Sequence, residues 1–167
     1  MKTTINEIRN DNLRLGVSGL GGWLILIQIG LYLTLIGLII LIRDSFYNFS
    51  DETWQLLITE GTIYYDPLWK PVIIFESIYN ILFFIFSITI LVQFYRKKSI
   101  VPRLMIIFYS LSLLVGIFDY IMMQQIPLAR ELEAGSTIRD LLKSALTCLI
   151  WIPYFLKSER VKNTFVR

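Results

Sequence analysis

The chain of 167 residues has no histidine, one cysteine, and only 17% charged residues. The missing histidine removes the commonest general base and the commonest metal ligand. Metal-assisted hydrolysis and His-assisted nucleophilic catalysis therefore have no residues to carry them, and neither a metal nor another cofactor is expected. The lone Cys148 has no second cysteine to pair with, and its apolar neighbours disfavour a thiolate, which leaves it a packing role. Small-residue cleavage patterns such as A-x-A are absent from the first apolar run, so that run reads as a retained anchor.

What the chain does have is apolar surface. Apolar residues make up 55% of it and aromatic residues 14%, with a mean hydropathy of +0.61. These values lie outside the range of ordinary soluble domains, and the apolar residues fall in long runs that suit a bilayer. The formal charge of +3 does not point to nucleic acid, because the bases sit at the ends of apolar runs, where they orient helices. The partners expected on this ground are membrane lipids.

Four segments have spanning character: residues 20–42, 71–95, 104–123 and 138–156. At ~1.5 Å per residue the first three reach the ~30 Å of a bilayer core, and the fourth does so only by including its upstream turn. In that turn, "GSTIRD" offers Ser136 or Thr137 as N-cap, with Arg139 and Asp140 at the interface. The sequence thus predicts an all-α fold, a single membrane domain built as a polytopic four-transmembrane-helix bundle. Residues 1–19 and 157–167 form its tails, and 43–70 its largest loop.

The basic residues set the orientation. One side carries Lys2, Arg9 and Arg14, then Arg96, Lys97, Lys98 and Arg103, then Lys157, Arg160, Lys162 and Arg167. The other carries Arg43, Lys70, Arg130 and Arg139, and Lys143 lies within a span. Eleven against four places both termini in the cytoplasm.

Within the outer loop, "SDETWQLLITEG" reads as a short amphipathic helix lying on the membrane. Ser50 caps it, Asp51 and Glu52 occupy its first turn, Trp54, Leu57 and Ile58 form the apolar side, and Gly61 stops it. Tyr64, Tyr65 and Trp69 follow as an interfacial aromatic belt. At the opposite surface Lys157, Arg160 and Lys162 suit anionic head groups. The connection 124–140 reads as short and polar, and Pro153 as a kink or stop near the end of the fourth span.

Polar residues inside the spans fall into stripes at 100° per residue: Glu76, Asn80 and Ser87; Ser112, Gly116 and Asp119; Lys143, Thr147 and Tyr154; and Gln28 with Tyr32. Glu76, Asp119 and Lys143 should lie at a common depth, roughly 3 to 8 Å below the outer boundary. A Lys143 pair with Glu76 or Asp119 is therefore expected. Glu76, Asn80, Asp119 and Lys143 are the candidate ligand-binding residues of an outward-facing polar pocket.

Other motifs are weaker. "GVSGLGGWL" follows no strand, and Leu24 stands where G-x-G-x-x-G needs glycine, so Gly19, Gly21 and Gly22 read as a flexible lead-in or a close helix approach. "YYD" and "GIFD" are a poor match to the signatures of intramembrane aspartyl proteases: Phe118 replaces a glycine, and Asp66 lies in a loop.

Four blocks together resemble a family. "GLGGWL" at Gly19 to Leu24, "PLWKPVIIFESIYN" at Pro67 to Asn80, Pro102 after the basic loop, and "IPYFLKSERVKNTFV" at Ile152 to Val166 are similar to small bacterial membrane proteins carrying the domain of unknown function 2569. The resemblance implies a multi-pass protein of the bacterial cytoplasmic membrane and supplies no activity. The residues themselves lean away from an enzyme and towards an accessory or lipid- or small-ligand-binding membrane protein, as a homo-oligomer or with a membrane protein partner. The alternative is a small oligomeric proton-coupled transporter using Glu76.

Overall fold

A computed structural model describes residues 18–50, 52–132 and 136–166. The basic tail residues Lys2, Arg9 and Arg14, as well as Asp51 and Arg167, lie outside these. The described residues form seven helices and no strand: α1 (Trp23–Ser50), α2 (Glu52–Ile58), α3 (Trp69–Tyr95), α4 (Val101–Met123), α5 (Pro127–Leu132), α6 (Ser136–Lys157) and α7 (Glu159–Thr164). The all-α expectation holds. Three of these helices, α1, α3 and α4, are long and apolar enough to cross a membrane.

Local chemistry sets the ends. Gly19 and Gly22 both take positive φ, +93° and +62°, and the turn they make hands over to α1 through an Ile25 N–H to Gly22 carbonyl bond of 3.0 Å. Asp66 Oδ1 accepts from the Leu68 amide at 2.9 Å, so α3 begins two residues before Pro71. Pro71 then sits in the first turn, where a missing N–H costs little. Pro102 occupies the equivalent place in α4. Pro153 does not end α6, which continues to Lys157 before Ser158 turns the chain and caps α7 by accepting from the Val161 amide.

The long helices pack in two intimate antiparallel pairs, α1 with α3 and α4 with α6, joined by a less extensive α3–α4 contact. Hydroxyls on these helices return to their own backbone. Thr34, Ser77, Ser87 and Thr147 each donate to the carbonyl four residues earlier at 2.7 to 2.9 Å, which satisfies them within their own helix. Phe83 of α3 stacks on Phe108 of α4 at 4.5 Å, inside a core that also includes Leu24, Ile27, Phe94 and Met105. The outward surface is apolar instead of polar: Ile25, Ile36, Leu82, Leu114 and Leu149 are all exposed. That inversion suits hydrocarbon as solvent.

The end carrying α2 and α5 differs from expectation. Ser50, expected as the cap of the outer helix, is instead the last residue of α1. Trp54 on α2 is buried, and α2 packs against α1 and α3. The 124–140 connection is not merely polar, since it contains α5. There Ile126 and Ala129 bury against Trp69, with Leu57, Ile73 and Met123 around them. Trp54 and Trp69 therefore belong to a small protein cap. Tyr64 remains exposed, and the Tyr65 hydroxyl donates to Glu60 at 3.5 Å.

At the other end the segment leading into α1 meets α7 and the end of α6. The Gly19 amide donates to Thr164 Oγ1 at 2.9 Å, and that hydroxyl donates back to the Gly19 carbonyl at 3.2 Å. Phe165 meets Phe94 edge to face at 5.1 Å, and Trp23 meets Trp151 at 6.1 Å. Arg160 lies over the glycine turn, where a Cβ on Gly22 would stand 3.3 Å from its guanidinium carbon. Lys157 and Lys162 are exposed, with Lys162 paired to Glu159 at 2.9 Å.

Candidate functional site

Helical spacing builds the site from four elements. Glu76 and Asn80 stand one turn apart on α3. Ser112, Gly116 and Asp119 share a face of α4, and Thr137, Asp140 and Ser144 share one of α6. With Leu41 of α1 these faces line an open cavity of about 490 Å³, within the usual range for small-molecule pockets. At Gly116 α4 and α6 are in contact without needing the glycine: Leu141 Cδ1 would lie 3.7 Å from a Cβ there, an ordinary contact.

A second cavity of about 190 Å³ adjoins the first, sharing Ser112 and Ser144, and is lined by Thr34, Tyr109, Lys143 and Thr147. The structure thus gathers Glu76, Asn80 and Asp119 into one space and sets Lys143 beside it.

The expected pair of Lys143 with Glu76 or Asp119 is not the one that forms. Lys143 Nζ lies 2.7 Å from Asp140 Oδ1, one turn back on its own helix. Local geometry accounts for this: an i,i+3 partner is in reach whatever the helix spacing, whereas a cross-helix pair needs α6 at one distance from α3 or α4. Both side chains are about two-thirds exposed, at 67% and 68%, so Asp140 and Lys143 mark the mouth. Asp119 lies deeper, with Oδ1 buried and without a hydrogen-bond partner.

The charge is one-sided. Glu76, Asp119 and Asp140 all line the larger cavity, and no Lys or Arg is among the described residues lining it. Tyr79 and Ser144 also line it and were missed in the sequence. The signal for Ser144 was its i,i+4 relation to Asp140; Tyr79 gave none, being one aromatic residue among many on α3. Among the described residues no group of three His, Cys, Asp or Glu side chains converges to hold a metal ion.

The remaining polar stripes have simpler fates. Ser87 is fully buried and bonded to its own helix. Gln28 Nε2 donates to the Leu20 and Leu24 carbonyls, and its Oε1 accepts from the Tyr95 hydroxyl at 3.1 Å, which in turn stands 3.0 Å from the Tyr32 hydroxyl. This chain of bonds fastens α1 to α3 well away from the cavity. Cys148 is buried, with Sγ 3.2 Å from the Tyr109 carbonyl.

Comparison with known proteins gives two matches. The model of a family described as "Protein of unknown function (DUF2569)" matches residues 17–166. The inner membrane protein YdgK of Escherichia coli (strain K12) is 28% identical over 81 residues, which cover 48% of this chain and 51% of that protein. The chain thus spans about half the length of the curated relative it matches. No solved structure matches it.

Proposed function

The chain belongs to the DUF2569 family of proteins of unknown function, and on that premise we infer that it is a multi-pass protein of the bacterial cytoplasmic membrane that binds a small ligand or lipid in an outward-facing polar cavity. Similarity to an inner membrane protein supports the location. The eleven-to-four distribution of basic residues supports cytoplasmic termini, with the α2–α5 cap outside.

We count α6 as the fourth span. Its exposed face is apolar, with Ile138, Leu142, Leu146, Leu149 and Ile150 turned outward, while its polar residues line the two cavities. Arg139, Asp140 and Lys143 make its composition too charged for a lipid-facing helix on its own. Asp140 and Lys143 line the two cavities, so in a spanning α6 only Arg139 must snorkel.

The observation that carries the binding role is the cavity itself, in which α3, α4 and α6 supply three carboxylates and an amide with hydroxyls between them. The test is native mass spectrometry of the full chain released from mild detergent. A co-purifying ligand is expected on the wild type and should be lost from Asp119→Asn. A wild-type spectrum without adducts under conditions that keep annular lipids would refute the reading. Reporter fusions at both termini and in the 59–66 loop test the orientation; periplasmic activity at either terminus would overturn it.

A further inference from the structure

The four long helices stand in an arc that does not close. α1 packs on α3, α3 on α4 and α4 on α6, but among the described residues α1 and α6, the two ends of the arc, form no comparable contact. What joins them lies at the end away from the α2–α5 cap. Trp23 of α1 meets Trp151 of α6 edge to face at 6.1 Å. There α7, which follows α6, reaches across to the other pair: Thr164 exchanges two hydrogen bonds with Gly19, and Phe165 meets Phe94 of α3 at 5.1 Å.

Towards the cap α1 and α6 draw apart. The buried residues of α1 are Leu24, Ile27, Leu31 and Leu38; none of residues 39–47 is buried, and on α6 none of 137–147. The space between the two helices widens in step. The cavity that Thr34 shares with Lys143 and Thr147 is about 190 Å³, and the one that Leu41 shares with Thr137 and Asp140, nearer the cap, is about 490 Å³. Both helices also carry exposed apolar residues at this level, Ile36 and Ile40 on α1 and Leu142 and Leu146 on α6, so in a membrane the cleft is bordered by hydrocarbon.

We propose that the α1–α6 side is a lateral gate between two rigid leaves. The leaves are the α1–α3 and α4–α6 pairs, the hinge is the thinner α3–α4 seam, and the latch is α7 together with the Trp23–Trp151 pair. Each leaf is fastened internally, one by the Tyr95 hydroxyl donating to Gln28 Oε1, the other by Cys148 Sγ donating to the Tyr109 carbonyl. The cap-side halves of α1 and α6 bury the least between them, and such regions move at the lowest free-energy cost. Turning of one packed pair against the other is an ordinary rigid-body transition. Opening parts α1 from α6 and joins the cavities to the bilayer; closing seals them. The gate stands on the packing alone and does not depend on what the cavities hold.

Double electron–electron resonance on the full chain in proteoliposomes, in a Cys148→Ala background, tests the gate. One nitroxide pair crosses it, at Ile40 and Leu142; two lie within a leaf, at Ile40 with Ile81 and at Leu114 with Leu142, and all four positions are exposed. The cross-gate distance distribution is expected to be about twice as broad as either within-leaf distribution. Trp23→Ala with Thr164→Val releases the latch through a ring already 61% exposed and a single hydroxyl. It should move the cross-gate distances outward and leave the within-leaf ones unchanged. A cross-gate distribution as narrow as the others and unmoved by the latch variant overturns the proposal, as does equal broadening of all three, which would mean that the pairs are not leaves. If the latch variant misfolds, crosslinking of the latched chain decides instead: short and long bis-maleimides should both join Ile40→Cys to Leu142→Cys, and reaction with one span alone would overturn the gate.

Discussion

Thr164→Val keeps the side-chain volume and removes only the hydroxyl, so it isolates the bonds that tie α7 to the glycine turn before α1. Thr164 is 2% exposed. Its Oγ1 accepts from the Gly19 amide at 2.9 Å and donates to the Gly19 carbonyl at 3.2 Å. A typical intramolecular hydrogen bond contributes about 1 kcal/mol net, and a buried group left without a partner costs about 1 to 3 kcal/mol. With two bonds lost and Gly19 only partly buried, water recovers part of the deficit, and the expected loss is about 2 kcal/mol. The assay is equilibrium unfolding of the full chain in mixed micelles with increasing dodecyl sulfate, alongside hydrogen exchange at the Gly19 amide. The midpoint should fall and Gly19 should exchange faster, while amides in the middle of α4 keep their protection. A change under about 0.5 kcal/mol with Gly19 still protected would refute the reasoning, and the ends would then be held by Val161 and Phe165 packing alone.

Three other outcomes are expected. Gly22→Ala forces an alanine to φ +62° against Arg160 and should cost about 1 to 2 kcal/mol by the same unfolding assay; Arg160→Ala should restore at most the steric share, and full restoration would show that the left-handed backbone is not the cause. Phe83→Ala deletes a ring that is 5% exposed and stacked on Phe108, for an expected loss of about 3 to 4 kcal/mol; a loss below about 1 kcal/mol would place Phe83 outside the core. Cys148, 8% exposed with its sulfur against the Tyr109 carbonyl, should resist maleimide in the folded protein and react once dodecyl sulfate unfolds it, as followed by intact mass; rapid labelling of the folded chain would contradict the α4–α6 packing.

The long helices were legible because their signal is local. A run such as "LILIQIGLYLTLIGLIILI" in α1 needs no knowledge of its neighbours to be read as apolar helix. The faces of Glu76, Asn80, Ser112 and Asp119 were legible for a similar reason, since 100° per residue is fixed by the helix alone. What was not legible was which side chains pair or pack across helices. Lys143 could be assigned a depth but not a partner, and the local Asp140 took it. Trp54 and Trp69 have the composition of an interfacial belt, and only the arrival of Ile126 and Ala129 from a different connection turns Trp69 into the centre of a cap. The basic tail read as a set of charges. Arg160 lies over Gly21 and Gly22, residues nearly the whole chain apart, and two of the sequence blocks that carried the family resemblance turn out to be the two halves of that one junction.

The acids in the cleft pose a question of solvation that the packing narrows. A carboxylate in a membrane helix costs about 2.5 to 3.5 kcal/mol at mid-bilayer, less near its boundary, and a purely structural role offsets this by pairing the acid with a base on a neighbouring helix. Here the base within reach, Lys143, is bonded to Asp140 at the exposed mouth, and the described lining around Asp119 offers hydroxyls, an amide and further carboxylates but no second cation. Interhelical charge pairing therefore does not explain Asp119. What remains to offset its charge is water or a cation entering the cavity, and the cavity is large enough for either. A lock between helices would gain by closing that space; the retention of about 490 Å³ beside a buried carboxylate oxygen supports the proposed reading of the cavity as a ligand site.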